Sequence, residues 1–126
     1  MNVPTELMYT REHEWVGVEG KIATIGITDW AQGELGDVVF VELPTIGIEV
    51  GQGDAFGTIE AVKAVSDLYS PVSGKVIGVN SSLDDDPMQV NHDAYGAGWM
   101  IKVEMSDASE LSQLFDADNY SRLITK

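Results

Sequence analysis

Apolar positions gather in short β-type segments through about the first hundred residues, and that pattern predicts strands rather than helices. Glu14 to Val18, Lys21 to Ile27, Val38 to Leu43, Phe56 to Ala61, Lys75 to Val79 and Trp99 to Val103 are rich in Val, Ile and aromatic residues. Turn formers separate most of them: Glu19-Gly20, Pro44, Gly51 with Gly53, Pro71 with Gly74, and Asn80. Strands this short and this evenly punctuated predict an antiparallel barrel or sandwich. Two segments look alike, Gly20 to Gly26 and Gly74 to Val79, as halves related by approximate two-fold symmetry would.

Helical spacing is confined to two places. Asp29 is placed to cap a short helix, with Gln32 at its third position and Gly33 or Gly36 ending it. Near the C-terminus Asp107 and Glu110 form a capping-box pattern, and Leu111, Leu114 and Phe115 share one face. Asp116 to Asn119 restarts the pattern, with Tyr120, Leu123 and Ile124 behind it. Asp84-Asp85-Asp86-Pro87 reads as a solvated loop. The expected organisation is one domain, with a β core over about 9–103 and a helical segment over about 107–126.

Composition narrows the function classes. Asp and Glu number 21 against 7 Lys and Arg, a formal charge of −14 that repels phosphate backbones and anionic headgroups. Nucleic acid and membrane are therefore not expected partners, and no apolar run approaches a membrane span. Met1 to Leu7 lacks a basic segment followed by an apolar one, so a cytoplasmic protein or a processed organellar chain is expected rather than a secreted one. There is no cysteine, so any redox sulfur must arrive on a cofactor. His13 and His92 lack ligand spacing, so no metal site is expected. Ser66 and Ser70 have no nucleophile elbow, and Gly51-Gln52-Gly53 has no P-loop lysine.

The informative stretch runs from Gly57 to Gly74. One β segment ends near Ala61 and an apolar segment resumes after Val65, so Lys63 falls where they join. A lysine at a hairpin tip is exposed and held by two strands, which suits an amine meant to be modified. Small Ala61 and Ala64 leave it uncrowded, and the chain has only five lysines. Against this stands the plainer reading of one more solvated lysine.

The stretch resembles the lipoylation hairpin of glycine cleavage H proteins. Tyr9-Thr10-Arg11-Glu12-His13-Glu14-Trp15-Val16 resembles the N-terminal strand of that family. Its central block is matched by Gly26 to Gln32 and Leu35 to Pro44, and its closing strand by Asn91, Tyr95-Gly96 and Gly98 to Lys102. The blocks run in order from about Tyr9 to Val103, which is more specific than one lysine motif.

The resemblance implies a mainly β fold, a hybrid barrel-sandwich of two small antiparallel sheets with short C-terminal helices. It implies lipoate amide-linked to Lys63 by a lipoyl-attaching enzyme, and a carrier with no catalytic residues of its own. The implied partners are glycine decarboxylase with pyridoxal phosphate, aminomethyltransferase with tetrahydrofolate, and dihydrolipoamide dehydrogenase. The arm receives an aminomethyl group from the first, yields it to the second, and is reoxidised by the third. Tethering makes each visit a local search at an effective concentration on the order of millimolar. Glu14 and Asp67 match positions that hold the amine of the loaded arm in a cleft, and carboxylates suit a cationic amine. Glu12 departs from relatives that have a small hydroxyl residue there.

Other readings of the same architecture are a biotinyl domain, a lipoyl domain of a 2-oxo-acid dehydrogenase, a lipoyl relay protein, and an unmodified interaction module or small enzyme. Val62 and Ala64 replace the methionines that typically flank a biotinyl lysine. The mass of any adduct on Lys63 separates the carrier from the unmodified module.

Overall fold

In the computed structural model, which describes residues 2–125, the strands follow the predicted punctuation. They are β1 (Met8–Tyr9), β2 (Glu14–Glu19), β3 (Ile22–Ile27), β4 (Val38–Glu42), β5 (Glu49–Val50), β6 (Ala55–Ala61), β7 (Val65–Tyr69), β8 (Gly74–Val79) and β9 (Ile101–Met105). A six-stranded sheet has the order β1-β2-β3-β9-β8-β5, and a three-stranded sheet the order β4-β6-β7. Every recorded pairing is antiparallel. The two similar glycine-rich segments become β3 and β8, which flank β9. The two-residue strands β1 and β5 are too short to show a period.

Alternation decides what each sheet buries. On β9, Ile101, Val103 and Met105 point inward while Lys102 and Glu104 face water. Val16, Ile25 and Val76 from the same sheet meet Val38, Val41, Ile59 and Leu68 of the smaller one. Each fully buried aliphatic side chain of this size contributes about 1.5–3 kcal/mol. Close approach requires glycine at Gly57, where an added Cβ would fall onto the backbone oxygen of Glu42 on the neighbouring strand.

The helices differ from expectation in detail. α1 (Asp29–Leu35) is capped by Thr28, not Asp29: the Thr28 hydroxyl accepts from the Ala31 N–H at 3.2 Å. Asp29 instead accepts from the Gln32 side chain at 2.7 Å, and Gly36 with φ of 82° ends the helix. Asp84 and Asp85 belong to a one-turn helix, α2 (Ser82–Asp85), with exposed side chains; α3 (Gln89–His92) follows. Asp107 caps a 3-10 segment, Ala108–Gln113, but Glu110 does not complete the box. Glu110 accepts from the Ser73 N–H at 2.7 Å and the Ser73 hydroxyl at 2.6 Å, tying the segment to the β7–β8 turn. The side chain reaches across the fold because a long-range pair of donors outcompetes the local one.

A second apolar cluster lies outside the sandwich. α4 (Ala117–Ile124), capped by Asp116, lays Tyr120 on Tyr9 with ring centroids 4.7 Å apart. Leu123, Ile124 and Phe115 join this cluster, whereas Leu111 and Leu114 pack on the main core. The face shared in sequence is thus divided between two cores.

Candidate functional site

β6 and β7 form a finger whose register pairs Glu60 with Val65, leaving Ala61 to Ala64 as its tip. The Ala61 N–H donates to the Ala64 carbonyl at 2.9 Å, so Val62 and Lys63 are the two loop residues. His13 is the only non-glycine residue with positive φ among those described, so this loop is not a primed turn. Two-residue hairpins with unprimed turns splay their strands and need outside support. It comes from the loop after α1. The Val62 N–H donates to the Asp37 carbonyl at 3.0 Å, and the Lys63 N–H to the Leu35 carbonyl at 3.2 Å.

Lys63 is exposed, as the hairpin position predicts. Its stem lies over Gly36: a Cβ there would meet Lys63 Cγ, Cδ and Cε at 3.5–3.6 Å. Backbone and stem are thus both seated while the amine faces outward. The finger is held at its tip as well as by its strands, and that part of the arrangement is not visible in the local sequence.

Beside the finger is a cleft of about 140 Å³ between α1, the start of β2 and the outer edge of β7. Ile27, Trp30, Leu35, Ile59 and Leu68 give it apolar walls, and Glu12, Glu14, Glu34 and Asp67 bring acid. Glu14 is 2% exposed. One of its oxygens accepts from the Thr10 hydroxyl at 2.6 Å and the other from the Tyr69 N–H at 3.3 Å. Both partners are neutral. Burial therefore pushes its pKa up to about 7 despite those hydrogen bonds, and the nearby Glu12 charge adds to the rise. A buried acid poised near neutrality and served only by neutral donors is the kind of group that a cation would stabilise.

Asp67 is placed differently from Glu14. Ser66 pairs with buried Ile59, and Leu68 is 1% exposed, so strand alternation turns the Asp67 side chain outward with Val65. Its backbone polar groups lie in the plane of the sheet. With Ala61 and Ala64 hydrogen-bonded, alternation makes Thr58 and Asp67 a non-bonded pair, whose N–H and C=O point away from β6. The Tyr69 N–H already uses that free edge to reach Glu14. Asp67 thus has its carbonyl and amide on the free edge of β7, where the carbonyl also accepts from the Ser66 hydroxyl at 3.3 Å.

A larger cavity of about 320 Å³ shares Glu12 and Glu14 but is walled by Arg11, Gln52, Tyr69, Pro71 and Phe115 rather than by α1 or the tip of the finger. Arg11 lies over the Phe115 ring at 5.4 Å from its centroid.

His13 sits in the β1–β2 turn with φ of 71°, its ring 4.2 Å from Trp30. Its Nδ1 shares a hydrogen bond with the Tyr120 hydroxyl at 2.8 Å, and that hydroxyl shares another with Thr28 at 2.7 Å. Burial lowers the pKa of His13, and burial first of all raises that of Tyr120 to about 12. The network anchors the start of α1, and so one wall of the cleft. Among the described residues no group of three or more His, Cys, Asp and Glu side chains is arranged to hold a metal ion, and no helix is long and apolar enough to cross a membrane. Trp15 is buried, its indole donating to the Ala94 carbonyl at 3.0 Å, and Trp99 is half-buried beneath Lys102.

Fold and site together define a small barrel-sandwich hybrid that presents one lysine on a pinned finger beside an acid-floored cleft. The family model described as glycine cleavage H-protein matches residues 7–126. The chain is 57% identical over 124 residues to the glycine cleavage system H protein of Staphylococcus saprophyticus, covering 98% of each. It is 56% identical over 122 residues to that of Carboxydothermus hydrogenoformans, covering 97% of this chain and 94% of the relative. Among solved structures it is similar to a glycine cleavage system H protein from Mycobacterium marinum, with TM-score 0.88, 37% identity, and 95% and 97% of the two chains covered. The chain belongs to the glycine cleavage H-protein family.

Proposed function

We propose that this protein is the lipoyl-bearing carrier of the glycine cleavage system, with lipoate amide-linked to Lys63. In this role it shuttles an aminomethyl group from glycine decarboxylase to aminomethyltransferase, is reoxidised by dihydrolipoamide dehydrogenase, and is not itself a catalyst. The observation that carries the reading is an exposed primary amine on a pinned finger, next to a cleft that ends on a buried acid.

The residues fit the group. Lys63 presents its amine for acylation while Gly36 leaves room for its stem. When bound, lipoate supplies the dithiol chemistry that this cysteine-free chain lacks. Ile27, Leu35, Ile59 and Leu68 suit a methylene chain and exclude water. Glu14 receives a primary ammonium: near pH 7 it is divided between its two protonation states, and an arriving cation favours the carboxylate. The Asp67 carbonyl on the β7 edge accepts a second hydrogen bond from the same amine.

The test is intact mass and peptide mapping after incubation with lipoate, ATP and a lipoyl ligase, followed by glycine decarboxylation with the partner enzymes. The wild-type chain gains one lipoyl group on Lys63 and Lys63→Arg gains none. An adduct elsewhere, no adduct, or glycine breakdown sustained by Lys63→Arg overturns the reading.

A further inference from the structure

The support of the finger continues beyond the loop it touches. Asn91, on α3, makes three hydrogen bonds into that loop and the helix before it. Its Oδ1 accepts from the Val38 N–H at 2.8 Å. Its Nδ2 donates to the Gly36 carbonyl and to the Gln32 side-chain oxygen, each at 2.9 Å. The peptide unit joining Asp37 to Val38 therefore has both of its polar groups engaged. Its N–H is held by Asn91, and its C=O accepts from the Val62 N–H at 3.0 Å. A peptide unit is planar and its trans N–H and C=O point in opposite directions, so fixing one end aims the other. The Leu35–Gly36 unit, two units earlier, also has both groups engaged: the Gly36 N–H donates to the Gln32 carbonyl at 3.0 Å, and the Leu35 carbonyl accepts from the Lys63 N–H.

We propose that Asn91 is a positioning residue for the carrier lysine, acting through the Leu35–Val38 loop to set the place and rigidity of the Val62-Lys63 tip. The inference rests on the lipoyl-carrier reading for its functional meaning, but its geometric content stands apart. Asn91 touches neither the amine nor the cleft floor. It acts because an unprimed two-residue turn has no rigidity of its own to spare, and the two amides of the tip find their acceptors only while the loop keeps its shape. The polar atoms of Asn91 match the loop one for one: an acceptor for an N–H, and two donors for two oxygens. Asp at this position keeps the acceptor and loses both donors, whereas Ala loses all three contacts.

The test uses the unacylated full chain. Amide hydrogen exchange is measured residue by residue in wild type, Asn91→Asp and Asn91→Ala, alongside steady-state acylation of Lys63 by a lipoyl ligase with lipoate and ATP. Exchange at Val62 and Lys63 should quicken about tenfold or more in Asn91→Ala and less in Asn91→Asp, while Ile25 and Val103 in the large sheet keep their wild-type protection. Acylation efficiency should fall about five- to tenfold, mostly as a higher KM, because a mobile tip presents the lysine in the right place less often. Should Asn91→Ala fail to fold, Asn91→Asp decides. Exchange that rises uniformly across the chain, or acylation unchanged in a variant with a loosened tip, overturns the proposal. If wild type itself takes no lipoyl group, the carrier reading falls while the exchange result still judges the positioning.

Discussion

Glu14 gives the sharpest prediction, because its burial costs stability in a way that depends on pH. The carboxyl titrates at about 7 in the fold against an ordinary value of 4.5, mainly through burial. Below pH 4.5 both folded and unfolded chains hold this proton. Between the two values the unfolded chain releases it while the folded chain keeps it, so rising pH favours unfolding; above about 7 the loss is complete. At about 1.4 kcal/mol per pH unit, that interval corresponds to about 3 kcal/mol. Glu14→Gln has no proton to lose. Its amide meets the Tyr69 N–H less well than a carboxylate oxygen does, but that offset does not vary with pH. Urea unfolding of both proteins from about pH 4 to about pH 8 should show the variant gaining on wild type by about 3 kcal/mol across the window, or about 10 °C in Tm. The many surface acids contribute equally to both proteins and cancel in the difference. A difference that stays flat over this range, or one that moves toward wild type, refutes the account of Glu14 as a buried acid near neutrality. The stabilised variant should also hold a primary amine more weakly, since the cation then meets no carboxylate.

Two further changes examine the frame around the site. Gly57→Ala drives a methyl group into the Glu42 backbone on β4, so the variant should lose more than about 2 kcal/mol in urea unfolding; a neutral result would show that the strands can separate without cost. Tyr120→Phe removes the hydroxyl between His13 Nδ1 and Thr28 and should cost about 1–3 kcal/mol by thermal denaturation, whereas an unchanged Tm would mean that this network adds nothing to the anchoring of α1.

The sequence by itself determined the strands and the position of the lysine. The apolar, β-type character of segments such as Trp99 to Val103 is a property of neighbouring residues, and the turn formers between segments are equally local. Lys63 at the junction of two such segments followed from the same pattern, and the family blocks from Tyr9 to Val103 were legible for the same reason. Only the tertiary structure decided what those residues do. Glu110 leaves its local box for Ser73, 37 positions away. Glu14 is an acid near neutrality because the folded chain buries it, and that burial outweighs the hydrogen bonds from Thr10 and from the Tyr69 N–H, 55 positions away, which pull its pKa down. The backbone N–H and C=O of Asp67 stay off the ladder because β7 is an edge strand. Burial, edge position and long-range hydrogen bonds belong to pairs of segments, so no window along the chain contains them.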